Sequence, residues 1–550
     1  MNKFPAETRQ ARREFHHAIQ FAVLLFAVAF CFNFAVAQDN SDVRDKVQQI
    51  DQLRDAGKFR EAIPIAEDVL KYCEKNYGPD HPETADSLND LASLYSHMGD
   101  HTKAATLYER ALKIREKSLG KDHPYTAVIL NNLAETYREN GDYVKAEPLY
   151  KRAIQIWEKK LGPKHKNTIA GTANLALLYA DKGDLKKAEP LCERVLKTRE
   201  ETLGPDNPQV AEALSNFAGL YYREGNFAKA EPMWERALAI YEKTIGPDHP
   251  STANIRNNLG AIYLDKGDLA KSESFFKSAL ETREKVLGPN HPLTGESINN
   301  LAWVYMDGGD YAKAEPLYQR SLKITEQASG PEHPNTATSL NNLGVLYQFM
   351  GDYKKAEPFY ERALKIREKA FGPNNRDLVS SLGGLADIYR LEKDYAKAEP
   401  MEIRAMQLSE KTFGPTHEMT ATSYNDLAAI YVGMGKYDKA EPLFQKALKL
   451  FEDKLGPNHY KVGAALDNLG VLYREKGDYK KSESYALHAL EVTEKARGPE
   501  HPETAQCLTD LAKLYETTGD KAKAESFRDR ASKIRKKPAE TKTAAAQSTP

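Results

Sequence analysis

The chain has 550 residues, 29% of them charged, with 78 Lys and Arg set against 79 Asp and Glu. So even a balance supplies no one-sided positive field for a phosphate backbone, which excludes nucleic acid as an expected partner. A chain this long ordinarily divides into several globular domains, but a strict internal period points to another arrangement.

The N-terminal segment carries an export pattern. Basic residues ending in Arg12-Arg13 precede an apolar run from Phe21 to Phe32, and Ala35-Val36-Ala37 forms an A-x-A cleavage pattern. Residues 1–37 are therefore expected to be a signal peptide, giving a periplasmic or secreted protein. The alternative is an uncleaved membrane anchor, because the apolar stretch approaches the roughly 20 residues that span a bilayer. Cleavage removes Lys3, Arg9, Arg12 and Arg13 with Glu7 and Glu14, so the net charge moves from −1 to −3. Only Cys73, Cys192 and Cys507 then remain, at no metal-ligand spacing. Cys192 stands where other copies of the repeat carry Tyr150, Trp234, Phe276 or Tyr318, which reads as a small packed residue.

From Ser41 onward the sequence repeats. Gly recurs at 78, 120, 162, 204, 246, 288, 330, 372, 414, 456 and 498, always 42 residues apart, inside a Leu-Gly-Pro-Asp-His-Pro pattern. Within one unit, Leu130, Leu133, Ala134 and Tyr137 share one helical face. Gly141 ends that helix, and Asp142 is placed to cap a second one carrying Tyr143, Ala146, Tyr150, Ala153, Ile154 and Trp157. Leu161-Gly162-Pro163 closes the unit.

Leu130-x-x-Leu133-Ala134-x-x-Tyr137, followed by Gly141-x-Tyr143-x-x-Ala146-x-x-x-Tyr150-x-x-Ala153, resembles the tetratricopeptide repeat. The 42-residue length and the linker resemble its kinesin light chain subtype. No heptad segment precedes the repeats, so a motor-binding role is not implied. The resemblance implies an all-α fold, a right-handed superhelical α-solenoid of about twelve helix-turn-helix repeats over residues 38–535. It also implies a concave groove lined by the first helices.

Departures from the repeat are informative. Eight second helices contain Pro, at 64, 148, 190, 232, 316, 358, 400 and 442, each removing a backbone hydrogen bond. The copy from 373 to 411 has Gly383-Gly384 for the usual Asn pair, Lys393 for the turn Gly, and Glu402 for the packed aromatic. It is expected to be a soft joint. The last helix is expected to end near Arg535, with residues 536–550 a disordered tail.

If the apolar face of each first helix is the core, Asn131, Glu135 and Arg138 lie on an adjoining stripe. In the groove that the resemblance implies, a ladder of Asn89, Asn131, Asn257, Asn299, Asn341 and Asn425 can hold an extended peptide backbone. Hydrogen bonding between neighbouring repeats is the competing role, and is favoured for the second Asn of each pair. Leu177, Tyr222, Trp303 and Phe349 give the middle copies an apolar lining. Trp303 and Phe349 are the leading anchor candidates, for a ligand lying across residues 215 to 350.

Nine linkers carry one His each, at 81, 123, 165, 249, 291, 333, 417, 459 and 501. A single His per linker suits helix capping or packing better than a metal site. No phosphate loop, zincin motif or nucleophile elbow occurs. The expected function is a non-enzymatic scaffold for a protein or peptide ligand, with no cofactor, no metal and no catalytic residue. A self-assembling structural protein and, further behind, an enzyme with a site hidden in the groove are the alternatives.

Overall fold

A computed structural model describes residues 41–547, with side chains from 43 to 534. The expected signal segment, residues 1–37, lies outside the described residues. The described residues contain 24 α-helices and one short 3-10 turn, forming twelve antiparallel pairs in chain order. Ser41–Asp55 with Phe59–Asn76 is the first pair and Pro502–Thr518 with Lys521–Gln547 the last. The fold is an all-α solenoid. First helices pack on first helices in succession, as Pro334–Phe349 does on Val379–Leu391, so they form the inner side of the curve. No described helix is long and apolar enough to cross a membrane.

Linker chemistry sets the start of each first helix. Gly162 sits at φ +94°, a left-handed conformation that the linker glycines share. Thr168, fully buried, donates its hydroxyl to the Gly162 carbonyl at 2.8 Å. The same Thr-to-Gly bond recurs at Thr84, Thr126, Thr252, Thr294, Thr336, Thr420 and Thr504. The linker His caps the helix: His165 Nδ1 accepts from the Asn167 N–H at 3.2 Å. All nine linker His residues do this, so the capping expectation holds. Asn207 and Asn375 cap with their side chains where His is missing.

The proline positions now have a physical account. Pro148 leaves the Val144 carbonyl without its helical partner, and Val144 is 84% exposed. Each of the other seven prolines likewise has an exposed residue one helical turn earlier. The lost bond therefore falls on the solvent side of the second helix, where water replaces it.

One expectation needs correction. The final helix continues to Gln547, past the end expected near Arg535. Strong helix formers, including Ala544-Ala545-Ala546, follow Pro538 and propagate it. The Gly383-Gly384 pair also has a packing role: a Cβ on Gly384 would meet the Tyr360 ring at 2.4 Å. Tyr360 is 1% exposed, so Gly384 makes room for it.

Candidate functional site: the inner face and the seam between turns

The inner face is held together by amides. In four copies the Asn at the second position donates to the first Asn of the preceding repeat, as Asn174 Nδ2 does to Asn131 Oδ1 at 3.1 Å. Asn132 to Asn89, Asn342 to Asn299 and Asn468 to Asn425 repeat the bond, each across 43 residues. Asn257 and Asn341 pair instead with Ser297 and Ser381 of the next repeat. The inter-repeat role expected for the second Asn is therefore present. It also engages the first Asn, and Asn131, Asn257, Asn299, Asn341 and Asn425 are all buried. Asn89 is half-buried.

The apolar candidates separate by exposure. Leu177 is buried. Tyr222 is half-buried against Phe227 and Trp234 and donates its hydroxyl to Asp265. Trp303 is half-buried, packed on the edge of the core around Tyr318, Leu346 and Tyr360. Phe349 is 40% exposed, beside Met350 at 42%.

Where the Asn pattern lapses, acids replace it. Asp90, Asp426 and Asp510 take the second position and Asp467 the first. Burial, together with Asp86, pushes Asp90 up to about 7. Burial and Asp387 push Asp426 up to about 8, and burial and Asp510 push Asp467 up to about 7. A protonated carboxyl keeps a donor and an acceptor at Asp90 and Asp426, whereas Lys513 and Gln506 hold Asp510 below the usual carboxylate range against its burial and the Asp467 Oδ1 has no partner. Glu402, 1% exposed, is pushed well above the carboxylate range by burial and by Asp426 and Asp387, and its Oε2 has no partner. Among the described residues no group of three His, Cys, Asp or Glu is placed to hold a metal. Cys192 is half-buried, its thiol pushed up to about 12 by burial.

The second inter-repeat layer joins inner to outer helices. The Tyr that ends a first helix donates its hydroxyl to the Glu of the preceding second helix, as Tyr221 to Glu189 and Tyr347 to Glu315, both at 2.7 Å. A Lys at the start of the following helix lies over the ring, Lys229 at 4.4 Å from the Tyr221 centroid.

Sequence patterns give no sign of a third contact system. The superhelix is wound tightly enough that its turns touch. His333 Nε2 meets the Met98 carbonyl, 235 residues away. Arg376 bonds the Tyr143 hydroxyl and Arg497 the Leu264 carbonyl, each across 233 residues. His501 Nε2 lies 3.2 Å from Asp307, and Arg60 donates to the Ser329 carbonyl at 2.7 Å. Cβ atoms on Gly57, Gly99, Gly183 and Gly225 would meet His291, His333, His417 and His459 within 4 Å, the same sequence offset each time. A linker thus rests on the helix-pair turn of a repeat between five and six units earlier.

Ten matches to the tetratricopeptide repeat model lie between residues 50 and 537, covering 50–369 and 377–537. The chain belongs to the tetratricopeptide repeat family. As a tetratricopeptide repeat protein it is a protein-interaction scaffold. A crystal structure of nearly identical TPR-like repeats, from a Podosopora anserina protein described as a kinesin light chain, is 26% identical. The likeness covers 38% of this chain and 99% of that one, with a TM-score of 0.34. BtubC (BKLC) from P. vanneervenii is 23% identical over 41% of this chain and 90% of its own, TM-score 0.34. A Rap protein complexed with Competence and Sporulation Factor is 15% identical over 68% and 99%, TM-score 0.49. No curated protein matches the tetratricopeptide chain significantly.

Proposed function

We propose that this protein is an exported, non-catalytic scaffold that holds an extended protein segment against the inner face of its middle repeats. The observation that supports it most directly is the gradient of exposure on that face. The Asn side chains are engaged between repeats, whereas Tyr222 and Trp303 are half-buried and Phe349 is 40% exposed. Aromatic rings that keep part of their surface are the groups that anchor a partner's apolar side chains. The Asn ladder then sets the spacing of the repeats and so the spacing of those anchors. Asn89, at the half-buried end of the ladder, is the amide best placed to add a backbone contact.

The test is a peptide-display selection against the purified chain, repeated with Trp303→Ala/Phe349→Ala after confirming unchanged helicity. Enriched peptides with spaced apolar residues should lose at least tenfold in affinity on the variant. Equal binding to both proteins places recognition elsewhere. The export half of the reading is tested separately, by locating the chain after cell fractionation and determining the N-terminus of the recovered protein. A start at Gln38 supports cleavage after Ala37, whereas a cytosolic chain beginning at Met1 contradicts it.

A further inference from the structure

We propose that the protein docks head to tail on a second copy of itself, through the same seam that joins its own superhelical turns. The seam is a repeated contact, not a single one: a linker imidazole or guanidinium sits on the turn of a helix pair 233 to 235 residues earlier. Because every repeat has the same length, the contact keeps its register along the chain.

The turns are not all covered. Gly57, Gly99, Gly141, Gly183, Gly225 and Gly267 each have a linker residue against them. Gly351, Gly435, Gly477 and Gly519 have the same left-handed conformation, and nothing among the described residues lies within 4 Å of the space a Cβ would fill. Met350 occupies the repeat position of Met98, whose carbonyl receives the His333 imidazole, and is 42% exposed. At the opposite rim, His81, His123, His165 and His249 cap their helices through Nδ1 as His333 does, which directs the proton to Nε2. Asn207 completes that row.

The two rims are complementary by construction. If a second copy continues the superhelix after twelve repeats, its His81 takes the place of position 585 in the extended numbering. That place stands as far beyond Gly351 as His291 stands beyond Gly57, which is the offset that the internal seam uses. By the same arithmetic His123 meets Lys393, His165 meets Gly435, Asn207 meets Gly477 and His249 meets Gly519. The contact uses different surfaces on the two copies, so it does not close after one dimer and extends to longer oligomers. It goes beyond the scaffold reading and does not require the inner-face anchors.

The test is sedimentation velocity of the full chain over a concentration series, with two rim variants. Met350→Glu/Lys393→Glu spoils the turn rim. His81→Asp/His123→Asp/His165→Asp spoils the linker rim while keeping the caps, since an Asp carboxylate accepts the same backbone N–H and carries no donor for the facing turn. The unaltered chain should show an average mass that rises reversibly with concentration past that of a dimer. Each variant alone should lose association at least tenfold with its helical circular dichroism unchanged. An equal mixture should recover a dimer and nothing larger, because each variant keeps one intact rim. A monomer at every concentration overturns the proposal, as does association that survives both variants or a mixture that fails to recover the dimer.

Discussion

The Tyr221 hydroxyl donates to the Glu189 carboxylate at 2.7 Å, fastening the end of one repeat's first helix to the second helix of the repeat before it. Tyr305, Tyr347, Tyr389, Tyr473 and Tyr515 form the same bond with Glu273, Glu315, Glu357, Glu441 and Glu483. The Tyr that marks the repeat in the sequence is thus both a packed ring and a strut. Tyr221→Phe keeps the ring and removes the strut. It should cost about 1 kcal/mol, the usual net value of one hydrogen bond. Hydrogen exchange should quicken in Pro208–Arg223 and in Leu185–Leu203, with distant repeats unaffected. Unchanged protection in both helices would show that the ring alone carries the contact.

Nine helices begin on a histidine that must stay neutral to accept the capping bond. Burial depresses His291 to about 4, assisted by the nearby Arg283, and His459 to about 3, with Lys461 and Arg497 adding to the effect and Glu418 opposing it. Unfolded, both would titrate near about 6.5. A folded-state pKa below the unfolded one means stability that is present above that unfolded value. It is lost as pH falls through the folded pKa. Thermal stability should therefore drop between about pH 6.5 and 3. His291→Asn/His459→Asn should flatten that drop, because Asn accepts the same bond without titrating. A pH profile identical in the variant sinks the argument.

The twelve helix pairs, the capping histidines and the inter-repeat role of the second Asn were all legible because each is a local pattern that recurs with the repeat. The Thr that locks each linker, such as Thr168 on Gly162, recurs with the same period and could have been found in the same way. Burial of Asn257 and Asn341 was not legible. It depends on how close successive first helices approach, and Ser297 and Ser381 supply partners that only the packing identifies. The seam between His333 and Met98 lies further out of reach, since a contact across 235 residues depends on superhelical twist summed over several repeats.

Lys393 stands at a turn that glycine occupies in the other copies and takes the same left-handed conformation, at φ +63°. A side chain there costs roughly 1–2 kcal/mol. The strain falls in the copy that begins with a 3-10 turn at Arg376–Leu378 instead of a full α-helical start. Exchange should be faster across Val379–Leu391 than across the equivalent helix Glu418–Gly433. Lys393→Gly should narrow the difference and stabilise the chain by about 1 kcal/mol. A Gly variant that is no more stable would place the softness of this joint elsewhere.

Glu402 fills an aromatic slot with one carboxylate oxygen left without a partner, while Ser423 bonds the carboxylate and opposes the rise in its pKa. It is 1% exposed, its Oε2 has no partner, and Asp426 and Asp387 raise its pKa further. Gly383 lies opposite, where an added Cβ would stand 3.7 Å from that oxygen. A carboxyl whose folded pKa is raised contributes its stability below the unfolded value of about 4.3. It loses that stability as pH rises towards the folded pKa. Burial of an unpaired polar group costs about 1–3 kcal/mol, so Glu402→Leu should stabilise the chain by about that much at neutral pH. The gain should shrink as pH falls towards about 4.3. Denaturant unfolding of both proteins at acid and neutral pH separates this from simple repacking, which would give the same gain at both. A loss of stability in the variant would mean that Glu402 is held by a partner strong enough to outweigh its burial.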